Sequence, residues 1–216
     1  MISQDVIAII ITTLQVSGTA LLISILVGVS LGVFVALHEF PARKLVIGVI
    51  NTGMGLPPVV VGLLVLLFLW RGGPLGFFNL IYTPAAMIIA QVILATPIIA
   101  GLTLAAIQSV PQKYKWQAEA LGAQGWQKAW LLIRETRLSL FAAVMAGFGG
   151  IISEVGAVMM VGGNIKGQTR VMTTAIVLES QRGEIELAVL LGLLLLALSF
   201  SVNLGLTLIQ QRARQV

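Results

Sequence analysis

The chain contains 216 residues, of which 58% are hydrophobic and 10% are charged, whereas about 25% of the residues in a soluble domain are charged. It has no cysteine, which excludes a disulfide framework, thiol chemistry and a cysteine-based metal site. The mean hydropathy of +1.02 predicts an all-α, polytopic membrane protein, and the net charge of +5 needs no nucleic-acid partner because the basic residues flank apolar segments.

Five apolar segments are long enough to cross a bilayer, which takes about 20 residues of helix. They lie at residues 6–37, 45–70, 84–108, 138–163 and 187–209. The first is too long for a removable signal peptide, so we expect it to be a membrane helix. Within it, Gly28 and Gly32 form a pair of small residues that lets a neighbouring helix approach closely. Residues 1–216 are thus predicted to be a single transmembrane domain.

The second span contains the segment 56–62, in which Pro57 and Pro58 are adjacent. Each proline removes a backbone donor and clashes with the preceding turn, so together they predict a break in the helix. Broken backbone at membrane depth persists only where it is buried in protein or lines a cavity. We interpret the break as part of a transport pathway, and a re-entrant helix end without a transport role is the alternative.

Residues 111–137 form the longest polar interruption between apolar segments, with the basic residues Lys113, Lys115, Lys128, Arg134 and Arg137. A basic loop between membrane spans is expected in the cytoplasm. Pro111 can open a helix, Gly122 and Gly125 interrupt it, and residues 126–133 can resume it. We therefore predict a small bent helical element that protrudes from the membrane.

The fourth span carries a single acid, Glu154, which would cost about 2.5–3.5 kcal/mol at the bilayer centre without a partner. Arg170 is the expected partner, and Lys166 is the next candidate. Glu154 is then either a pathway or gate residue, or one half of a structural ion pair. The polar residues 164–186 that follow are expected to form an external loop.

The turn at residues 162–169 has the glycine spacing of a phosphate-binding loop, but Gln168 stands where the lysine is required and no strand precedes it. We therefore expect no nucleotide site here. Asn164 and Arg170, together with the hydroxyl groups of nearby threonines, are instead candidate donors to an oxyanion. The threonines concerned are Thr169, Thr173 and Thr174.

Positive charge is distributed unevenly between the two sides of the membrane. One side holds Arg43, Lys44, the basic loop 111–137, Arg212 and Arg214, and the other holds Asp5, Arg71 and the charge-balanced residues 164–186. This asymmetry predicts an external N-terminus and a cytoplasmic C-terminus. The single histidine, His38, cannot build a histidine-rich zinc site, so no metal site is expected.

Three motifs resemble those of a known family. Pro111 and Gly122 are spaced as in the cytoplasmic EAA loop of bacterial ABC importer permeases, and Ala118, Leu121 and Ala123 also match that motif. The chain departs from the motif at Trp116 and Gln117. Its glutamate, Glu119, lies three residues after the position where the motif has one. Two further motifs are similar to those of tungstate and molybdate permeases. The first is residues 56–62, and the second is residues 152–157, followed by Gly163–Asn164 and Thr169–Arg170. The second motif is closer to the tungstate type.

The resemblance implies a permease with the molybdate-permease-like fold, in the cytoplasmic (inner) membrane of a bacterium or archaeon. Such permeases form homodimers, bind cytoplasmic ATPase subunits and receive an oxyanion from an extracytoplasmic binding protein. The implied permease is not an enzyme and has no cofactor of its own, because the partner ATPase binds ATP. The implied ATPase-coupling residues are Ala118, Glu119, Leu121, Gly122 and Ala123, and the pathway or gate residues are Pro57, Pro58, Glu154, Gly156, Asn164 and Arg170.

Two questions remain open at the level of sequence. Trp126 and Trp130 are either anchors of the ATPase interface or aromatic residues of the membrane boundary. The chain is either such a permease or a self-sufficient channel or secondary carrier, although the paired internal repeats typical of many carriers are not evident. Copurification of an ATPase would separate these two classes.

Overall fold

The computed structural model describes residues 2–214, and ten α-helices account for most of them. These are α1 Ile2–Leu37, α2 Arg43–Gly53, α3 Pro58–Leu69, α4 Pro84–Gln108, α5 Gln112–Ala120, α6 Gly125–Glu135, α7 Arg137–Ile152, α8 Gly156–Gly162, α9 Met172–Gln181 and α10 Ile185–Arg214. A single 3-10 turn, Gly76–Phe78, lies between α3 and α4. The predicted all-α class is confirmed. The side chains of Lys115 and Arg214, counted above among the basic residues, lie outside the described part.

Three helical segments of the described chain are long and apolar enough to cross a membrane without a break: Gln4–Leu37, Pro84–Gln108 and Ile185–Arg212. Two bent helix pairs pass the same test jointly, α2 with α3 at 108° and α6 with α7 at 75°. The structure therefore has up to five spans if each bent pair is one span. The break predicted at Pro57 and Pro58 is confirmed, because α2 ends at Gly53 and α3 begins at Pro58. The span expected over residues 138–163 is also broken, between Ile152 and Gly156, and this second break was not predicted.

The contact between α1 and α4 is made close by glycine, as the spacing of Gly28 and Gly32 predicted. A Cβ atom at Gly32 would lie 2.7 Å from the carbonyl oxygen of Ala100 and from the Cβ of Thr103. A Cβ at Gly28 would lie 3.0 Å from the side chain of Ile99. The two helices can pack at this distance only because these positions carry no side chain.

Helix α4 lies at the centre of the molecule and contacts α1, α2, α3, α7 and α8. Its residues Met87 and Ala90 are fully buried, in a cluster with Val61 of α3 and with Val158 and Val161 of α8. Met87 is flexible and fills the space left by Gly162, where a Cβ would lie 2.8 Å from its sulfur. The core thus holds α3 and α8, the two short helices that each follow a break in a membrane span.

The segment 164–186 contains the helix α9 rather than loop structure alone. Met172, Ala175 and Glu179 are buried, and their spacing of three and four residues places them on one face of the helix. Helix α9 packs against α10 and touches α1. The polar composition of this segment therefore reflects a helix with one buried face.

Candidate functional site

The arm, defined as residues 111–136, contains two short helices separated by a turn. Pro111 is the N-cap residue of α5, with ψ of 136°, one position earlier than the first helical residue. Helix α5 ends before Gly122, and α6 begins at Gly125. The predicted bent element with its interruption at two glycines is confirmed.

Gly122 ends α5 in a way that requires glycine. Its φ is +76°, in the left-handed region that side chains disfavour. The N–H of Gly122 donates to the carbonyl oxygen of Glu119 at 2.9 Å, and the N–H of Ala123 donates to that of Ala118 at 2.9 Å. These two bonds constitute a Schellman motif, which satisfies the last carbonyl groups of the helix.

The two halves of the arm are held to each other by polar contacts. Lys128 Nζ lies 3.0 Å from Glu119 Oε1, so an ion pair joins α6 to α5. At the start of α6, Gln124 N–H donates to Oε1 of Gln127 at 2.7 Å, which is half of a capping box. The ion pair between the helices and the hydrogen bond at the start of α6 therefore both restrain the turn between α5 and α6.

The predicted coupling residues divide between the surface and the interior of the arm. Leu121 is 88% exposed, whereas Ala118 is 6% exposed. Glu119 and Gly122 are exposed and Ala123 is intermediate. Trp116, which stands where the EAA motif has glutamate, is 62% exposed. The arm therefore offers an apolar tip around Leu121 that nothing in the described chain covers.

The second group of predicted residues lies where α3 and α8 begin. Pro57 is the N-cap of α3 and Pro58 is its first residue, so the prolines occupy positions where a missing N–H costs nothing. A Cβ at Gly156 would lie 2.7 Å from Val59 Cγ2, and one at Gly62 would lie 2.6 Å from the Cα of Ala157. The structure thus brings Pro57, Pro58 and Gly156 together at two facing helix starts.

Glu154 belongs to this group, but the prediction that it pairs with Arg170 is wrong. Its Oε1 accepts a hydrogen bond from the N–H of Ala157 at 2.8 Å, and its own carbonyl oxygen accepts from the hydroxyl of Thr173 at 2.9 Å. The carboxylate therefore caps the first turn of α8, where N–H groups have no partner within the helix. A negative charge is also favoured there by the helix dipole.

The turn after α8 places Asn164 and Arg170 together, and Arg170 pairs with Glu179 rather than with the Glu154 carboxylate. Arg170 Nη2 donates to the carbonyl oxygen of Asn164 at 3.4 Å, and Asn164 has a left-handed φ of 51°. The threonine hydroxyls proposed as oxyanion donors are occupied by backbone oxygens: Thr169 by Gly162, Thr173 by Glu154 and Thr174 by Val171. The threonines thus stabilise the turn rather than present free donors.

Sequence reasoning missed the acids that pair with Lys166, Arg170 and Arg182. Arg170 Nη1 lies 3.8 Å from Glu179 Oε1, and Arg182 Nη1 lies 3.3 Å from the same oxygen. Lys166 Nζ lies 2.7 Å from Asp5 Oδ2. The helical spacing of apolar residues before Glu179 was the signal that could have placed this acid on a buried face. These groups line a cavity of about 500 Å³ beside the start of α1.

The sequence profile of one protein family, described as the inner membrane component of binding-protein-dependent transport systems, matches residues 28–215. The chain belongs to this family. It is a permease subunit of an ABC importer, a class that works with ATPase and binding-protein partners. This confirms the resemblance drawn from the three sequence motifs.

Two similar relatives cover most of the permease. A probable anion ABC transporter permease protein of Haloferax volcanii is 45% identical over 88% of this chain and 84% of its own. A tungstate uptake system permease protein of Peptoclostridium acidaminophilum is 44% identical over 92% of this chain and 87% of its own. A crystal structure of a bacterial ABC transporter involved in import of the acidic polysaccharide alginate matches with a TM-score of 0.78, over 97% of this chain and 80% of that chain, at 20% identity. That likeness supports the fold.

Proposed function

We propose that this permease carries a tetrahedral oxyanion, tungstate or molybdate, into the cytoplasm as part of an ATP-driven importer. The observation that carries the proposal is the 44% identity, over 92% of the chain, to a protein named as a tungstate uptake permease. Tungstate and molybdate share the same shape and charge. The binding protein therefore selects between them, and the permease accepts what it delivers.

The working unit is a homodimer with cytoplasmic ATPase subunits that bind and hydrolyse ATP. The exposure of the break before α3 supports the dimer: Val59 is 56% exposed and Val60 is 47% exposed in the single chain, and Pro57 and Pro58 are exposed too. Irregular backbone at membrane depth must be covered by protein or face water. In a homodimer arranged around a central pathway, the second copy covers this backbone with protein and the pathway exposes it to water.

The arm is the coupling element of this assembly and lies in the cytoplasm, with the N-terminus outside. Its exposed apolar tip at Leu121 fits into a cleft of the ATPase. The Schellman end at Gly122 and the ion pair between Glu119 and Lys128 keep the tip in one orientation. A tip fixed in this way transmits the closure of the ATPase dimer instead of absorbing it. ATP binding thereby shifts the permease between its two conformations.

The breaks before α3 and α8 form the gate. Pro57, Pro58 and Gly156 let two short helices meet closely, and the Glu154 carboxylate adds one negative charge at that point. A dianion is repelled by this charge, so the gate resists leakage until the helices move. Asn164 and Arg170 act on the outer side, where they hold the turn that follows α8 against α9.

Reconstitution tests the proposal. The permease, its ATPase and its binding protein are placed in liposomes, and ATP-driven uptake is measured with the binding protein loaded with tungstate, with molybdate or with sulfate. We expect ATP-dependent uptake of tungstate or molybdate, and ATPase stimulation by the loaded binding protein. An ATPase variant unable to hydrolyse ATP is the control. Uptake that persists without ATPase would identify a self-sufficient carrier, and failure of both oxyanions would refute the substrate class.

A further inference from the structure

Helix α6 leaves the axis of α7 sharply. The two helices are separated by Thr136 alone and differ in direction by 75°. Helix α7 is apolar after Arg137 and forms part of a membrane span. If α7 crosses the bilayer steeply, α6 must run nearly parallel to the membrane plane, at the level where the chain enters the membrane.

Helix α6 has one face on the protein and one face away from it. Leu132 is 2% exposed and packs with Val33 of α1, and Ala129 and Ile133 lie against the same cluster. Beside this packed face Trp126 is 70% exposed and Trp130 is 64% exposed. Residues four apart lie on the same helix face, so the two indole rings form one exposed apolar stripe.

A groove between α1 and α6 continues this stripe. It has a volume of about 470 Å³ and is lined mainly by apolar side chains: Val29, Val33, Phe34, Leu37, Trp126 and Ile133. Phe34 is 51% exposed and Leu26, two turns earlier, is 72% exposed. The groove therefore opens onto the outward face of a membrane-spanning helix, where lipid chains are the surrounding medium.

We propose that the outward face of α6 lies in the membrane–water boundary and that one acyl chain of a phospholipid occupies the groove between α1 and α6. Tryptophan is enriched at this depth because its ring is apolar and its N–H is polar. Arg134, exposed one turn after Trp130, supplies a cation for the lipid phosphate, as basic residues do in interfacial helices. The arm then has two partners, with the Leu121 tip on the ATPase and the Trp126–Trp130 stripe on lipid.

This inference extends the proposed function without depending on the substrate. Two other occupants are conceivable, the ATPase subunit and a second copy of the permease. The lipid fits better because the groove is continuous with the outward face of α1, whereas the ATPase tip contact lies on α5. A basic residue beside paired tryptophans also complements a phosphate group rather than an apolar protein surface.

Brominated phospholipids test the occupant directly, since bromine quenches indole fluorescence on contact. The chain has four tryptophans, so variants that keep one each, with phenylalanine at the other three positions, report on single sites. Each variant is reconstituted with the ATPase into vesicles of phosphatidylcholine brominated on its acyl chains, thermal unfolding confirms that it is folded, and ATP-driven oxyanion uptake is measured separately. An interfacial helix sits about 5–10 Å into the boundary. We therefore expect Trp126 and Trp130 to lose roughly half of their fluorescence relative to unbrominated vesicles.

Trp116 is the matched control, because it is as exposed as Trp130 but lies on α5. It should keep its fluorescence. If Trp126 and Trp130 are quenched no more than Trp116, lipid does not cover them and the proposal is overturned. The same conclusion follows if their quenching is present without the ATPase and vanishes on its addition, because the ATPase would then be the occupant. Failure of oxyanion uptake alone, with quenching intact, would refute the proposed substrate and leave the lipid site standing.

Discussion

Two glycines flank the turn of the arm and allow a matched experiment. A Cβ atom at Gly122 or at Gly125 would meet nothing within 4 Å, so neither position is limited by space. They differ in backbone conformation, because Gly122 has a φ of +76° whereas Gly125 is the first residue of α6. Alanine at Gly122 must therefore adopt a left-handed conformation, which costs about 1–2 kcal/mol. Alanine at Gly125 is at least as good a helix former as glycine.

The cost at Gly122 acts on the docking conformation of the arm. The turn can avoid the strain only by giving up the two hydrogen bonds from Gly122 and Ala123, which releases the Leu121 tip. A penalty of about 1–2 kcal/mol corresponds to a roughly 5- to 30-fold smaller population of the docked geometry. We expect Gly122→Ala to weaken ATPase binding by that factor and Gly125→Ala to leave it unchanged. Asparagine tolerates left-handed backbone better, so Gly122→Asn should fall between.

The measurement is the dissociation constant between the ATPase subunit and the permease held in lipid nanodiscs, followed by ATP-driven uptake in liposomes. Thermal unfolding of the membrane domain serves as a check that the variants remain folded. If Gly122→Ala and Gly125→Ala bind the ATPase equally, backbone conformation at Gly122 does not set the docking geometry. The role of the Schellman end in coupling would then be rejected.

Three further predictions concern the gate and the arm. Glu154→Ala should lower the free energy of unfolding by about 0.5–2 kcal/mol because the cap of α8 is lost, whereas Glu154→Gln should retain most of it, since its amide oxygen still accepts the same N–H. Basal oxyanion leakage should rise in Glu154→Gln if the charge gates the path, and unchanged leakage would leave Glu154 with a capping role only. Gly62→Ala should destabilise the fold by about 1–3 kcal/mol through overpacking. The control is Gly192→Ala inside α10, where a Cβ meets nothing within 4 Å and alanine should stabilise the helix by about 0.5–1 kcal/mol. Equal thermal stability of the two variants would contradict the close contact of α3 with α8. Exchange of charges in Glu119→Lys with Lys128→Glu should restore the ATPase affinity that each single change reduces by up to about 1 kcal/mol, and a double variant as weak as the sum of both singles would exclude the ion pair.

Local features of this chain were predictable because they are decided by local backbone chemistry. Proline fixes φ and lacks a backbone N–H donor, so the two adjacent prolines, Pro57 and Pro58, were enough to predict the break in the helix. Gly122 could be expected at a helix end for the same kind of reason. The close approach at Gly28 and Gly32 followed from side-chain size. In each case the decisive property belongs to the residue itself and not to a distant partner.

The ion pairing was not predictable, because it depends on which distant groups the fold brings together. The sequence suggests Arg170, sixteen residues after Glu154, as its partner, and Lys166 as the next candidate. In the structure Glu154 instead accepts the N–H of Ala157, three residues away, and Arg170 lies beside Glu179. A helix N-terminus with unpaired N–H groups is available to a carboxylate at short range and competes with any charged partner further along the chain. Helix α9 is hidden in the sequence for a related reason, because the polar composition of residues 164–186 is typical of a loop while the spacing of Met172, Ala175 and Glu179 is that of a helix.

The geometry of the arm and the gate also constrains how they can communicate. The chain runs from α6 through Thr136 into α7, and α7 ends at Ile152, immediately before Ser153 and Glu154. A helix of 16 residues is about 24 Å long and changes length little under load, so a displacement at its start reaches its end. Close packing restrains sideways movement, because a Cβ at Gly147 would already lie 2.7 Å from Ile99 of α4. Axial or pivoting movement about this contact is therefore the mode left open to α7, and either one changes where Glu154 stands relative to the start of α3.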